Sequence, residues 1–276
     1  MDWARAKNIL IVLLFALNLT LAATIVNRAI GGSADRELYS SITRILNDRG
    51  VIMQCDFPKQ ITSSELLIYG DGARFVENCA KALNNRNKGA AVRDSSRVEL
   101  LGRESLRYTN PRPDEALDTA SIQILDTAIR RVLGEWGIDL TGFTTDYSTK
   151  SGDGSFFYQY ILDYKGKLVF DSNVNVSVNE DGGISEITLS YREIKSASLD
   201  KLMKVIPAYQ VLLKNYYDSG VVIVSINIGF MGQNTARDNP FVESNEGAVW
   251  RIRLDDGSER FFEATYGDEI YLYRQI

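Results

Sequence analysis

Hydrophobic positions follow three different rhythms along this chain. From Asn8 to Val26 they form one unbroken run of 19 residues without a charge, rich in Leu, Ile, Val, Ala and Phe. Further on they recur every three or four residues in some segments, the spacing of a helix face. Elsewhere they alternate with polar residues, the spacing of a half-buried strand. The helical rhythm marks Arg36–Asn47, with Leu38, Ile42, Ile45 and Leu46 on one side and Gly50 at the C-cap position. It returns over Ala73–Leu83, with Phe75, Val76, Cys79 and Leu83 inward, and over the long stripe Leu117, Ala120, Ile124, Leu125, Ala128, Ile129, Val132, Leu133, Trp136. A last helix is predicted from Leu199 to Tyr217, kinked at Pro207.

Between these stripes the rhythm is that of strands. Val51–Cys55, Leu66–Tyr69 and a hairpin of Val98–Leu101 with Ser105–Tyr108 precede Pro111 and Pro113, which read as a boundary because proline stops both helices and interior strands. After the long helix come four strand candidates, Asp139–Tyr147, Ser155–Tyr164, Lys167–Val178 and Ile184–Ile194, joined by the turns KSGDGS, YKGK and NEDGG. After the last helix come four more: Val221–Phe230, Ala248–Leu254, Arg260–Tyr266 and Ile270–Tyr273. The layout therefore repeats as a helix followed by a four-stranded antiparallel meander, an α+β architecture in which each helix stripe covers one sheet face. The predicted units are residues 34–111, 113–195 and 196–276, preceded by a tail, 1–7, and an apolar span, 8–27.

The apolar run is long enough for a bilayer. At about 1.5 Å per residue it approaches the ~30 Å hydrocarbon core. A signal-peptide core is shorter, roughly 7–15 residues, and ends in a small-x-small site. Ala22-Ala23-Thr24 is a poor version of one. The expected arrangement is a retained single-pass helix in the cell membrane, with the N-terminus cytoplasmic and the bulk of the chain extracytoplasmic. Arg5 and Lys7 lie on the short side and Trp3 sits at the interface, where an indole is favoured. Asn18 and Thr20 are polar positions within the run. They either bond back to their own backbone or contact a neighbouring helix.

Composition narrows the function classes. Of 31 basic and 36 acidic residues, three basic and one acidic precede Ala29, so the remainder carries a net charge of −7. Such a surface argues against nucleic acid and against docking on anionic lipid. The chain has no His, which removes the commonest general base and zinc ligand. Its two Cys, Cys55 and Cys79, provide no disulfide framework and leave a single bridge or two buried thiols open. The run DSNVNVSVNED fails as a calcium loop, because Val176 and Gly182 stand where Gly and Glu are required counting from Asp171; it reads as a strand with Val174, Val176 and Val178 inward. Asp255, Asp256, Asp268 and Glu269 are carboxylates beside turn glycines, where Asp is ordinary. Phe156, Phe157, Tyr158 and Tyr160 read as a buried central strand rather than a ligand platform. With no nucleotide, nucleophile-elbow or metal motif, the reading is a non-enzymatic protein that needs no cofactor and works by contact.

Two stretches carry a family resemblance. The opening MDWARAKNILIVLLFALNLTL is similar to the start of YycI, through Met1-Asp2-Trp3, Lys7, and the apolar run holding Phe15, Leu17 and Asn18. Near the other end, VVIVSINIGFMG and AVWRIRLDDGSERFFEATYGDEI resemble the end of YycI and, more loosely, PepSY modules, with Trp250, Gly257, Ala264 and Gly267 in the pattern positions. The YycH/YycI resemblance implies PepSY/YycH-like repeated units behind a membrane anchor, and no enzymatic activity. It also implies two partners: a WalK-like sensor histidine kinase of the WalK/WalR two-component system, which controls cell-wall metabolism, and a YycH-like protein. In that reading Phe15, Asn18 and Thr20 are the transmembrane contact candidates and Trp3 the interface anchor. The competing expectations are an exported PepSY-like binding or protease-inhibitor module cleaved after Ala23, and a secreted hydrolase using Asp255, Asp256 or Glu269.

Overall fold

A computed structural model describes residues 13–15, 17, 18, 20, 32–88, 96–113, 116–216, 220–232 and 245–270. It is a mixed α+β structure with a large sheet and few helices. No helix among the described residues is long and apolar enough to cross a membrane. The tail 1–7, with Trp3, and most of the Asn8–Val26 run lie outside them.

Both meanders are present. In the first, β5 (Phe143–Lys150), β6 (Phe156–Tyr164), β7 (Lys167–Val178) and β8 (Ile184–Ser190) pair antiparallel in sequence order. In the second, β10 (Val222–Phe230), β12 (Ala248–Leu254), β13 (Glu259–Glu263) and β14 (Glu269–Ile270) do the same, with the short β11 (Asn245–Glu246) between β10 and β12 in the chain. A brief parallel pairing of Leu168 and Val169 with Gly229 and Phe230 fuses the two into one sheet. On β7, Val174, Val176 and Val178 point into the core while Asn173, Asn175 and Ser177 do not, as strand alternation dictates.

Residues 34–111 are shared between these units. Their first half supplies α1 (Gly32–Asp48), β1 (Ile52–Met53) and β2 (Ser63–Tyr69). Ile42, Leu46, Val51, Leu67 and Tyr69 thereby join the core of the second meander. Their second half supplies α2 (Ala73–Lys88), β3 (Arg97–Leu100) and β4 (Ser105–Thr109). Val76, Cys79, Leu83, Leu106 and Tyr108 join the core of the first. β4 and β3 extend the first meander beyond β8, and β1 runs parallel beside β10. Each sheet half thus carries two helices: α2 and α3 (Ile122–Glu135) on the first, α1 and α4 (Ala208–Asn215) on the second. At about 25 cal/mol per Å² of apolar surface removed from water, these two cores are the main stabilising term.

Two predicted helices are shorter in the structure. The long stripe was expected to be helical from Leu117, but α3 begins after Ser121, whose side chain accepts from the Ile124 N–H at 3.2 Å. Leu117 lies outside the helix, where its N–H donates to the Gly182 carbonyl at 2.9 Å. Gly182, at φ +85°, has no Cβ to collide with the Leu117 carbonyl, which would lie 2.3 Å away. The expected helix from Leu199 is instead β9 (Ile194–Lys204), paired antiparallel with β2, and α4 starts only after Pro207. Pro207 biases the residue before it to extended backbone, and β2 supplies the ladder that local spacing could not announce. The single strand expected over Ile184–Ile194 is two, since the chain leaves one sheet at Ser190 and enters the β11-β2-β9 sheet at Ile194.

Candidate functional site: a buried charge network between the meanders

The sheet doubles back, so that the faces turned away from the helices meet. Ile161, Phe170, Met231, Val249 and Phe261 form a small apolar cluster there. Beside it lie four charges that the sequence placed on ordinary strand faces. In β12 alternate residues, Trp250 and Ile252, enter the second core, which sends Arg251 and Arg253 to the opposite face. The side chains of both arginines are buried, at 1% and 7% exposure.

Their partner is delivered by an irregularity in β5. Thr145 faces Tyr160 and Tyr147 faces Gln159, which leaves Asp146 as an extra, unpaired residue. A bulge of this kind re-aims side chains. Thr145 stays on the helix side, where its hydroxyl donates to Asp126 at 2.9 Å and accepts from Arg130 at 2.9 Å. Asp146 is turned to the arginines at 6% side-chain exposure. Arg251 grips it bidentately at 2.6 and 2.7 Å. Arg253 Nη2 donates to the same carboxylate and to Glu259 Oε1 at 2.6 Å. Asn227 accepts from Arg251 at 3.0 Å and Gln159 from Arg253 at 3.1 Å. The guanidinium planes lie over Phe170 and Tyr147, 4.6 and 4.8 Å from the ring centroids. Burial pushes the Asp146 carboxyl up, but the hydrogen bonds and charge of Arg251 and Arg253 outweigh it and hold the group below the usual carboxylate range. For Arg253, burial acts downward, and the charges and hydrogen bonds of Asp146 and Glu259 together outweigh it upward. With two cations and two anions the network is internally neutral. Both Asp146 oxygens are taken by guanidinium N–H groups, so this carboxylate binds its own chain rather than a proton from a substrate.

A second polar junction lies nearby. Arg192 donates to Asp171 at 3.2 Å, stands 3.7 Å from Glu104 and lies over the Tyr69 ring at 4.7 Å. It thereby ties β7, the β3–β4 turn and β2 together. Gly232 makes this possible, because a Cβ there would fall 1.5 Å from Arg192 Nη1. Neither junction was singled out from sequence. Arginines at alternating strand positions read as a wet face, and nothing local reveals that this face is covered.

The residues singled out from sequence fall elsewhere. Phe15, Asn18 and Thr20 are described and exposed, Phe15 at 69%. Asn18 Nδ2 donates to the Leu14 carbonyl at 3.0 Å and the Thr20 hydroxyl to the Leu17 carbonyl at 2.8 Å, the bond back to the backbone that a polar residue makes in an apolar helix. Asp255 and Asp256 are exposed on the β12–β13 turn, whereas Glu269 is half-buried on β14 opposite Phe262. Among the described residues no group of three or more His, Cys, Asp or Glu side chains is arranged to hold a metal ion. Phe156, Tyr158 and Tyr160 are buried in the first core. Cys79 lies in that core and Cys55 against the second; both are free thiols. Burial pushes Cys79 up to about 11, and burial with the charge of Asp56 raises Cys55. A shallow cleft opens between Tyr39, Phe57, Pro58, Lys59 and Tyr209 over Trp250.

No family model matches this sequence, and no curated protein matches it. Among solved structures, the chain is similar to an uncharacterized protein from Eubacterium rectale, with 10% identity over 77% of this chain and 86% of that one, at a TM-score of 0.44. It is also similar to the C-terminal domain of YpeB from Bacillus megaterium, with 13% identity over 70% of this chain and 94% of that one, at a TM-score of 0.36. Neither likeness assigns a function.

Proposed function

We propose that this chain is a non-enzymatic, membrane-anchored regulator of the YycI type, which modulates a WalK-like sensor histidine kinase controlling cell-wall metabolism. The observation that carries the reading is the charge-free run Asn8–Val26 behind Met1-Asp2-Trp3. Its length fits a bilayer better than a cleavable leader.

The pattern shared near the other end supports it in a physical way. Trp250 Nε1 donates to the Ile206 carbonyl at 2.9 Å. Gly257 forms the β12–β13 turn at φ +81°. Ala264 is buried and its N–H donates to Ala248. Gly267, at φ +75°, leaves room for Ile206, which a Cβ would approach at 2.9 Å. Trp250, Ala264 and Gly267 therefore hold the second meander against Ile206 at the start of α4, and Gly257 closes its β12–β13 turn. A protein resembling the family there resembles it in how this unit is built.

In this mechanism the span packs against the kinase's own spans, and the two meander units meet a YycH-like partner or the kinase exterior. One amide N–H of Asn18 is used within its helix; the side chain has a second N–H and a carbonyl oxygen to offer a neighbour. Regulation then requires different affinity for the kinase's two signalling states, and a coupling of about 1 kcal/mol already shifts such an equilibrium about fivefold.

The test is photo-cross-linking in native membranes from a probe replacing Asn18, followed by mass spectrometry and by determination of the mature N-terminus. Capture of a sensor histidine kinase or a YycH-like chain by a protein that keeps residues 1–23 is the expected result. Capture of lipid alone refutes the intramembrane contact. A product released into the medium and starting after Ala23 replaces the reading with that of an exported PepSY-like module.

A further inference from the structure

The two helix-plus-meander units are joined in a way that sets their angle through charge. Both share β7, which changes partner along its length. Leu168 and Val169 pair with β10, and from Asn173 onward the strand pairs with β8. Between these, Phe170, Asp171 and Ser172 stand opposite no residue of β6, since the ladder passes from Leu162–Val169 directly to Ile161–Asn173. Polar bonds stitch this break beside the buried Phe170 ring: Asp171 accepts from Arg192 and from the Gly232 N–H at 2.9 Å, and Ser172 accepts from the Arg192 N–H at 3.1 Å. Each unit has its own helices and its own core. The apolar contact between their backs comprises five buried side chains. Beside the break, Val169 is seated in the second core and Lys167 donates to Glu65 of β2 at 2.6 Å; away from it, the two backs meet through those five side chains and through Asp146 of the first unit, held between Arg251 and Arg253 of the second.

We propose that the molecule is a hinge closed by a charge lock, with the pivot at Phe170–Ser172 and the lock at Asp146, Arg251, Arg253 and Glu259. A bidentate guanidinium–carboxylate pair is satisfied over a narrow range of angles, unlike an apolar contact, which slides. A buried ion pair adds little net stability once desolvation is counted, so its use is in specifying one arrangement. The closed state is also releasable: Arg251 Nε is buried with no acceptor among the described residues, so closure carries the cost of an unpaired donor. A partner that binds one unit and strains this lock thereby moves the other. This device is independent of whether the protein is anchored or exported.

The experiment measures the distance between spin labels at Ser151→Cys, on the β5–β6 turn, and Asp255→Cys, on the β12–β13 turn, in the full chain with Cys55→Ser and Cys79→Ala. The parent should give one narrow distance distribution. Asp146→Asn should broaden it, and so should the apolar replacement Asp146→Leu, Arg251→Met, Arg253→Leu, which removes the angular demand and leaves only the partly exposed Glu259 without its partners. In that triple variant the near-ultraviolet signals of Trp136, in the first core, and Trp250, in the second, should persist. A distribution as narrow as the parent's in the triple variant overturns the proposal. So does loss of both tryptophan signals in both variants, because a lock between units must leave the cores standing.

Discussion

At the scale of single residues, Trp250 shows how one side chain serves two purposes. Its ring is buried in the second core, and its indole N–H reaches the Ile206 carbonyl beside Pro207. Pro207 has no N–H and cannot continue a ladder, so this bond, with that from the Ile206 N–H to the Ala264 carbonyl, pins the turn into α4. Trp250→Phe keeps most of the apolar bulk but removes the donor and part of the bicyclic ring, leaving a carbonyl without its partner and a small void. The expected cost is about 1–3 kcal/mol, read as a lower urea midpoint with an unchanged slope. Arg251, one position along, is the opposite case. Its face was unreadable locally, because the same alternation that buries Trp250 ordinarily exposes its neighbours.

At the scale of elements, the predicted helices and strands survive where their signals are local. α3 keeps the stripe Leu125, Ile129, Val132, Leu133 inward. Its true start, however, is decided by Ser121, which competes with the apolar pattern reaching back to Leu117. Ser121→Ala removes the acceptor for the Ile124 N–H and should destabilise the protein by about 1 kcal/mol, measured by denaturant titration; no effect would mean that packing, rather than the cap, ends the helix there. β9 is the contrasting element. Leu199, Leu202 and Met203 carry helical spacing, yet the segment pairs with β2, more than a hundred residues earlier. Such a partner is invisible to any window of neighbouring residues.

At the scale of the whole molecule, stability should fall off at both ends of the pH range. Asp146 is held below its ordinary value in the folded state. Its contribution is therefore complete above the unfolded value of ~3.9 and is lost as pH drops through the folded one. Tyr158 works in the other direction. Burial, with the charge of Asp126, pushes its hydroxyl up to about 12. The neutral phenol therefore stabilises the fold below pH ~10, and that contribution fades as pH climbs from there through the folded value. Urea midpoints measured from acid to alkaline pH should show both limbs. In Asp146→Asn the acid limb should flatten while neutral stability drops by about 3–5 kcal/mol, because two buried guanidinium groups lose their shared partner. An acid limb unchanged by that substitution would place its origin in other carboxylates.

The sequence alone determined the repeated helix-plus-meander units, the turn positions between their strands, and which residues of β7 face the core. Those follow from period, from glycine in positive-φ turns and from proline, all of which act within a few residues. The same local rules marked the apolar N-terminal run. Only the tertiary structure decided how residues 34–111 divide between two cores, that residues before Pro207 extend as a strand, and that Asp146 meets two arginines 105 and 107 positions away. Period tells a strand which face is apolar but not which strand lies beside it, and a charge finds its partner through space rather than along the chain.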